Sequence, residues 1–325
     1  MVTNALPTQS DERLSEAYPW LEHYDPGVPH SLKPYPRKTL LDIVAETARE
    51  RPEHPAFLFK GGQVSYARLQ RESDAFAAAL AEMGVQKGDR VALLIPNSPQ
   101  FFIAEFGAWK AGAIVSPLNP LYTERELKHA LNETGAKIAV ALTPFYAKVK
   151  ALQPETGLQT VIATNIKEYL PGLMRILFTL FMEKKEGHRI TLEPGDLWMQ
   201  AMIRDHLDAP PPDVRIAPED PALLIFTGGT TGLPKAAVNT HQGLVMTGMQ
   251  IKAWFGDMLK DWRMSSWPSC LCFTSMVTRA WPSPASWDVN LWPWFPIRAT
   301  WMTCLPPSAS PNPLSCPACP PSSSP

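Results

Sequence analysis

Thr227-Gly228-Gly229-Thr230-Thr231-Gly232-Leu233-Pro234-Lys235 is the stretch that decides the fold and the chemistry of this 325-residue chain. It follows residues 222–226 (ALLIF), a short apolar run that is typical of a buried strand. Three glycines allow the backbone to turn tightly and to bring its N–H groups close to a bound anion. Threonine hydroxyls add donors, and Lys235 adds a positive charge. The stretch therefore predicts a loop that binds the phosphates of a nucleotide.

The loop differs from the Walker phosphate-binding pattern, because no lysine directly follows its last glycine ahead of a serine or threonine. A second interpretation needs no ligand at all. On composition alone, the stretch is also compatible with a turn rich in glycine and threonine that carries a solvated lysine.

The stretch resembles the phosphate-binding signature S/T-x-G-T-T-G-x-P-K-G of the adenylate-forming enzymes, among them acyl-CoA synthetases, adenylation domains of peptide synthetases and luciferases. Residues 220–224 and 239–245 resemble the same family. Ala236 stands where the family usually has glycine, and we expect its methyl group to stiffen the loop without removing a phosphate ligand. His241 is a candidate base, but a helix-capping or packing role is favoured. The resemblance implies that the β- and γ-phosphates of ATP are bound by Thr227, Gly228, Gly229, Thr230, Thr231, Gly232 and Lys235.

Composition bounds the remaining function classes. Apolar residues make up 45% of the chain, enough for a core, and the length suits about two domains. Lys plus Arg (30) nearly equals Asp plus Glu (31), so bulk charge gives no indication of nucleic-acid binding. The polar, proline-rich start has no apolar core of a signal peptide, and no apolar run is long enough to span a membrane. A cytoplasmic enzyme is the expected class.

Between residues 39 and 163 the chain alternates between helical and strand periodicity. Thr39 and Thr123 are predicted N-caps, the second in a capping box with Glu126. Residues 55–66 predict a hairpin with glycines at its turn. Helices are predicted over residues 39–50, 65–83, 99–109 and from 123, and strands over residues 90–95, 114–118, 137–142 and 160–163.

This alternation predicts an α/β fold with a doubly wound, mostly parallel sheet that carries helices on both faces. The segments G-D-R-V-A-L-L-I-P-N-S (88–98) and A-G-A-I-V-S-P-L-N-P-L-Y (111–122) resemble the N-terminal part of the acyl-CoA synthetase large domain. The predicted organisation is an N-terminal extension (1–38), an incomplete AMP-binding domain (39–262) and a C-terminal tail (263–325).

Residues 169–185 are crowded with large apolar side chains and end in a charged run. The insertion resembles one in bacterial long-chain fatty acid–CoA ligases. It predicts a short helix that is apolar nearly all round and too short to cross a bilayer. One interpretation is contact with a membrane surface, at the inner face of the membrane, or with the mouth of an acyl tunnel. The other interpretation is packing against the protein's own core.

The composition changes abruptly after Trp262. Residues 263–325 hold 13 of the 35 prolines, 6 of the 11 tryptophans and all 5 cysteines, but no lysine and one acidic residue, Asp288. The cysteines are irregularly spaced and have no histidine among them, which disfavours a metal site. A proline- and tryptophan-rich interaction segment is a second interpretation. The third, which we favour, is that this part of the gene is read out of frame.

The genetic code tests the third interpretation. When the last base of each codon is joined to the first two bases of the next, the code fixes several residues of the shifted chain. Met276-Val277 and Trp287-Asp288 each give glycine, and Trp294-Phe295 gives valine. Trp301-Met302-Thr303 gives two aspartates, and each Trp-Pro pair gives alanine. With permitted codons, the shifted chain reads E-D-V-V-L-A-V-L-P-M-F-H-V-Y-G-N-T-G-V from Trp262 to Trp281. This segment resembles the one that follows the phosphate loop in long-chain acyl-CoA ligases.

The resemblance implies a long-chain fatty acid–CoA ligase that uses ATP, Mg²⁺ and CoA and acts on a long-chain fatty acid. The family's F-H-x-x-G histidine, its adenine-binding G-Y-G-x-T-E segment, its ribose-binding aspartate and its C-terminal lysine have no counterpart in residues 263–325 as written. We therefore expect this chain to be an inactive, truncated fragment with no catalytic residue retained and no metal site, and with a tail that has no single fold. The alternative is a non-catalytic module that binds a nucleotide or a partner.

Overall fold

The structure is a computed structural model that describes residues 18–227 and 234–254. A 3₁₀ turn at Pro19–His23 opens the described chain. The elements that follow are α1 (Leu40–Glu50), β1 (Pro55–Phe59), β2 (Gly62–Ser65), α2 (Tyr66–Glu82), β3 (Arg90–Leu94), α3 (Pro99–Lys110), β4 (Ile114–Pro117), α4 (Glu124–Thr134), β5 (Ile138–Leu142), α5 (Thr143–Leu152), β6 (Thr160–Thr164), α6 (Gly172–Leu177), β7 (Leu197–Trp198), α7 (Met199–Asp205), β8 (Pro221–Thr227), β9 (Lys235–Thr240) and α8 (His241–Trp254).

The main sheet has the strand order β7-β6-β5-β3-β4-β8-β9 in the described residues. Every neighbouring pair is parallel except β8 and β9, which form an antiparallel hairpin at the edge. The predicted α/β fold with a doubly wound, mostly parallel sheet is therefore confirmed. Strands β1 and β2 form a separate hairpin, whose turn places Lys60 and Gly61 at positive φ, as a type I′ turn requires.

Local signals position several helices as predicted. The Thr39 hydroxyl accepts a hydrogen bond from the backbone N–H of Asp42. In return, the Asp42 carboxylate accepts one from the backbone N–H of Thr39, so the two residues form a capping box. Thr123 and Glu126 form the same arrangement at the start of α4. These reciprocal bonds satisfy backbone N–H groups that a helix start leaves without an intrahelical partner.

Alternate residues of the central strands β3 and β5 face two separate cores. Val91 and Leu93 of β3 belong to the core under α1, α2 and α3, whereas Ala92 and Leu94 belong to the core under α4 and α5. The helices that follow the adjacent strands β3 and β4 thus lie on opposite faces of the sheet. Such a reversal opens a crevice at the carboxyl ends of the strands, where open α/β sheets bind ligands.

The apolar insertion forms a 3₁₀ turn (Ile166–Tyr169), α6 and a π-helical turn (Phe178–Met182). Tyr169 is buried, but α6 and the π-helical turn have no buried residue. The interpretation that this helix packs on the protein's own core is therefore wrong. In the described part of the chain, no helix is both long and apolar enough to cross a membrane.

Candidate functional site

The β8–β9 hairpin presents the predicted phosphate loop at the carboxyl edge of the sheet. Thr227 ends β8 and is paired with Lys235, the first residue of β9. The hydroxyl of Thr227 donates to the backbone oxygen of Lys235 at 3.4 Å, and both side chains are exposed. The two described ends of the predicted site thus lie side by side. Gly228, Gly229, Thr230, Thr231 and Gly232 lie outside the described residues.

The hairpin is attached to α4 next to the loop. Nε2 of His129 lies 2.9 Å from the backbone oxygen of Pro234, and since a carbonyl only accepts, the ring donates. The ring of His129 also contacts that of Phe226, with the centroids 6.3 Å apart. His129 therefore fixes both sides of the hairpin. Sequence reasoning missed this residue, because nothing local marks a contact between positions 105 apart in the chain.

Ala236 lies in β9, opposite Phe226 of β8, and not in the loop itself. The backbone of Ala236 is extended and has a negative φ, an ordinary strand conformation that does not require glycine. The expected stiffening of the loop by this methyl group concerns residues 228–233, which lie outside the described residues, and it stays a prediction.

His241 opens α8 and is buried. Its ring packs edge-on against Trp109, with the centroids 5.2 Å apart, and its backbone N–H donates to the oxygen of Asp220. Burial lowers the pKa of His241 to about 4, although the Asp220 and Asp42 carboxylates act in the opposite direction. The favoured packing role is confirmed, and a role as a base at the loop is disfavoured by this burial.

Polar groups lie in the crevice between β3 and β4, at the carboxyl ends of the strands, where the β8–β9 hairpin also turns. Asn97 lies three residues beyond the end of β3, and its buried Oδ1 has no hydrogen-bond partner among the described residues. Gln100, the second residue of α3, donates from Nε2 to the backbone oxygen of Asn165, while its buried Oε1 also has no partner among the described residues. These two oxygens can accept hydrogen bonds from a ligand or from water. Sequence reasoning quoted Asn97 within a family segment but assigned it no role.

No cluster of three or more His, Cys, Asp or Glu side chains that could hold a metal ion occurs in residues 18–227 and 234–254. A magnesium ion that arrives with a nucleotide needs no such cluster, because it is bound largely by phosphate oxygens, water and one or two carboxylates. The exposed Lys235 and Thr227 at the mouth of the hairpin fit a triphosphate, to which they offer a positive charge and a hydroxyl donor.

The described residues form a doubly wound α/β sheet, and the hairpin that flanks residues 228–233 lies at the carboxyl ends of its strands, where such sheets bind ligands. The sequence profile described as "AMP-binding enzyme" matches residues 44–312, more than half of the chain. The chain belongs to the AMP-binding enzyme family.

Relatives and solved structures agree with this assignment. The chain is 33% identical over 243 residues to the long-chain-fatty-acid–CoA ligase of Escherichia coli O157:H7 and 34% identical over 245 residues to that of Bacillus subtilis. Each match covers 74% of this chain and 43% of the relative, so the chain spans less than half the length of these relatives. A long-chain-fatty-acid–CoA ligase from Archaeoglobus fulgidus shares the fold, with a TM-score of 0.54 and 24% identity over 72% of this chain and 42% of that one.

Proposed function

We propose that this gene encodes a long-chain fatty acid–CoA ligase and that the loop at residues 227–235 binds the β- and γ-phosphates of ATP. The position of the loop carries the proposal. It lies between β8 and β9 at the carboxyl edge of the sheet, in a chain whose curated relatives are ligases of that name. The proposed ligands are Thr227, Gly228, Gly229, Thr230, Thr231, Gly232 and Lys235.

The proposed reaction has two steps. A carboxylate oxygen of the fatty acid attacks the α-phosphorus of ATP, the bond to the β-phosphate oxygen breaks, and pyrophosphate leaves. The thiol of CoA then attacks the acyl carbonyl, loses its proton and displaces AMP. Magnesium, when bound, neutralises charge on the phosphates. Lys235, the threonine hydroxyls and the loop N–H groups would orient the triphosphate and stabilise the negative charge of the leaving pyrophosphate.

We also propose that residues 263–325 are read out of frame and that the chain as written is inactive. The support is the abrupt loss of lysine and the residues that the shifted frame fixes by the genetic code alone. The family match reaches residue 312, and this observation favours the second candidate, a non-catalytic module with an in-frame tail. Under the first candidate the loop binds ATP, and under the second the module binds a nucleotide or a partner. The proposed location is cytoplasmic, with peripheral contact at the inner face of the membrane.

Replacing Lys235 with alanine is expected to weaken ATP–Mg²⁺ binding to this chain by about tenfold to a hundredfold. A charge-assisted hydrogen bond to a phosphate oxygen contributes about 1.5–3 kcal/mol, and each 1.4 kcal/mol corresponds to about tenfold in affinity. Isothermal titration calorimetry measures the change. Lys185→Ala, which removes another exposed lysine in the described chain, is the control and should leave affinity unchanged. Equal affinities for the two variants would support the interpretation of the loop as a turn without a ligand.

A further inference from the structure

The segment from Gly172 to Met182, here called the apolar protrusion, exposes an unusual number of large apolar side chains. Leu180 and Phe181 are each 69% exposed, and Leu173 is 71% exposed. The exposed large apolar residues of the protrusion are Leu173, Met174, Ile176, Leu177, Leu180 and Phe181. Single exposed apolar residues are ordinary, but a contiguous set of six indicates a binding surface.

The base of the protrusion is attached to the sheet by a buried polar network. The Glu183 carboxylate accepts hydrogen bonds from the amide of Asn165 and from the ammonium group of Lys167. The amide of Asn165 also donates to the backbone oxygen of His188, whose ring is hydrogen-bonded to the hydroxyl of Thr143 at 2.7 Å. Buried charges persist only when they are paired in this way. The network therefore holds the protrusion in one position, with its apolar side chains turned outward.

The start of the protrusion is attached as well. The hydroxyl of Tyr169 donates to the Glu72 carboxylate of α2 at 2.6 Å, and the guanidinium of Arg68 lies 5.0 Å from the centre of the same ring. Because both ends are fixed to different elements, the exposure of the six apolar side chains is a feature of the folded protein and not of a frayed end.

Positive charge flanks the apolar side chains. Lys184, Lys185 and Arg189 are exposed directly after the protrusion. Two nearby acidic residues are paired with other basic side chains, Glu183 with Lys167 and Glu168 with Arg175. A third, Glu186, is half-buried and lies between Lys185 and Arg189 in the sequence. Residues 167–189 contain five basic and three acidic side chains, a net charge of +2, while the whole chain carries −1. The surface thus combines an apolar tip with a basic margin.

We propose that the apolar protrusion docks into the surface of a bilayer that contains anionic lipids. An interfacial helix buries its apolar side chains at the boundary of headgroups and acyl chains, and nearby lysines bind the anionic headgroups. The protrusion is too short to span the bilayer. Charge complementarity favours this occupant over a second copy of the chain, since two copies would bring their basic margins together. The inference deepens the proposed function and rests on it in one respect: the membrane would be the source of the fatty acid.

Flotation of the full chain with vesicles tests the proposal without any need for enzymatic activity. Flotation is preferred to sedimentation, because aggregated protein sinks while vesicle-bound protein rises. The vesicles are phosphatidylcholine alone, or an equal mixture of phosphatidylcholine and phosphatidylglycerol. The variants are Leu180→Glu with Phe181→Glu, and Lys184→Ala with Lys185→Ala. Leu121→Glu is the matched control, because Leu121 is 70% exposed but lies outside the protrusion.

The unsubstituted chain and the Leu121→Glu control should float with the anionic vesicles. The Leu180→Glu/Phe181→Glu variant should bind at least about tenfold more weakly, because two apolar side chains no longer leave water. The Lys184→Ala/Lys185→Ala variant should bind about tenfold more weakly to the anionic vesicles only. Circular dichroism checks that each variant is folded.

Two results would overturn the proposal. The first is equal flotation of the chain and both double variants. The second is absence of vesicle binding together with a shift from dimer to monomer in the Leu180→Glu/Phe181→Glu variant, which would identify the protrusion as an interface between two copies. Neither result depends on ATP binding. The flotation experiment can therefore refute membrane docking without refuting the proposed ligase function, and the reverse also holds.

Discussion

Replacing Trp109 with alanine is expected to lower the free energy of unfolding by about 4 kcal/mol, a typical loss for a large aromatic side chain removed from a core. Trp109 is fully buried in α3, where its ring packs against those of Phe106 and His241. Its Nε1–H donates to the backbone oxygen of Ala222 in β8 at 2.8 Å. The substitution therefore leaves a cavity and also deprives a buried carbonyl of its donor.

Urea unfolding followed by far-ultraviolet circular dichroism measures this loss. Trp20→Ala removes an exposed tryptophan from the 3₁₀ turn near the start of the described chain and should change the free energy of unfolding by less than about 0.5 kcal/mol. The loss of unfolding free energy for Trp109→Phe should lie between the losses for Trp109→Ala and Trp20→Ala. Phenylalanine keeps part of the packing but cannot donate the hydrogen bond. A similar small effect for all three variants would contradict the described packing of α3 against β8.

The second large effect concerns activity. The chain as written should catalyse no exchange between pyrophosphate and ATP in the presence of a long-chain fatty acid, above the level of its Lys235→Ala variant. A version whose reading frame is restored near codon 262 should catalyse it at least about a thousandfold faster. Removal of even one transition-state donor costs about a hundredfold to a thousandfold, and the shifted tail lacks several of the family's groups. Exchange of labelled pyrophosphate into ATP is the assay.

Exchange by the chain as written, at a rate that Lys235→Ala abolishes, would show that the out-of-frame proposal is wrong. Resequencing of the gene adds a second test: one base added or removed near codon 262 would support the out-of-frame proposal, and an unchanged sequence would keep the non-catalytic module open. The predicted absence of a single fold concerns residues 263–325, which lie outside the described residues, as do residues 228–233 of the loop.

The fold could be predicted because the information that specifies it is local. Thr39, Thr123 and Glu126 sit directly before or within helical periodicity, so capping chemistry marks the helix starts. Strand β5 is entirely apolar and β3 is apolar after Arg90, so both are recognised as buried runs between helices. The hairpin turn at Lys60 and Gly61 carries its own glycine signal. Each of these features rests on residues fewer than about ten positions apart, and short-range patterns capture them.

The parts that the sequence did not predict depend on distant partners. β7 has two residues, too few for any periodicity, and β9 owes its strand conformation to pairing with β8. The contact between His129 and Pro234 joins α4 to the hairpin across the chain. The partner against which His241 packs, Trp109, lies in another helix. None of these contacts leaves a local trace.

The apolar protrusion shows a different limit. Its sequence is apolar on nearly every side, a pattern that fits a helix buried in a core equally well as an exposed one. Whether it is buried depends on whether another element covers it. In the described structure, the polar network around Glu183 fixes its base while Leu180 and Phe181 remain exposed. Composition alone could not distinguish these outcomes.

Amide hydrogen exchange of the full chain, with and without ATP–Mg²⁺, locates the bound nucleotide on the chain. ATP is expected to slow exchange in peptides that cover residues 227–240, and Lys235→Ala is expected to remove most of this protection. Unchanged exchange across residues 227–240, with ATP-dependent protection elsewhere, for example around the cavity of about 540 Å³ between α1 and α2, would contradict the assignment of the loop as the phosphate site.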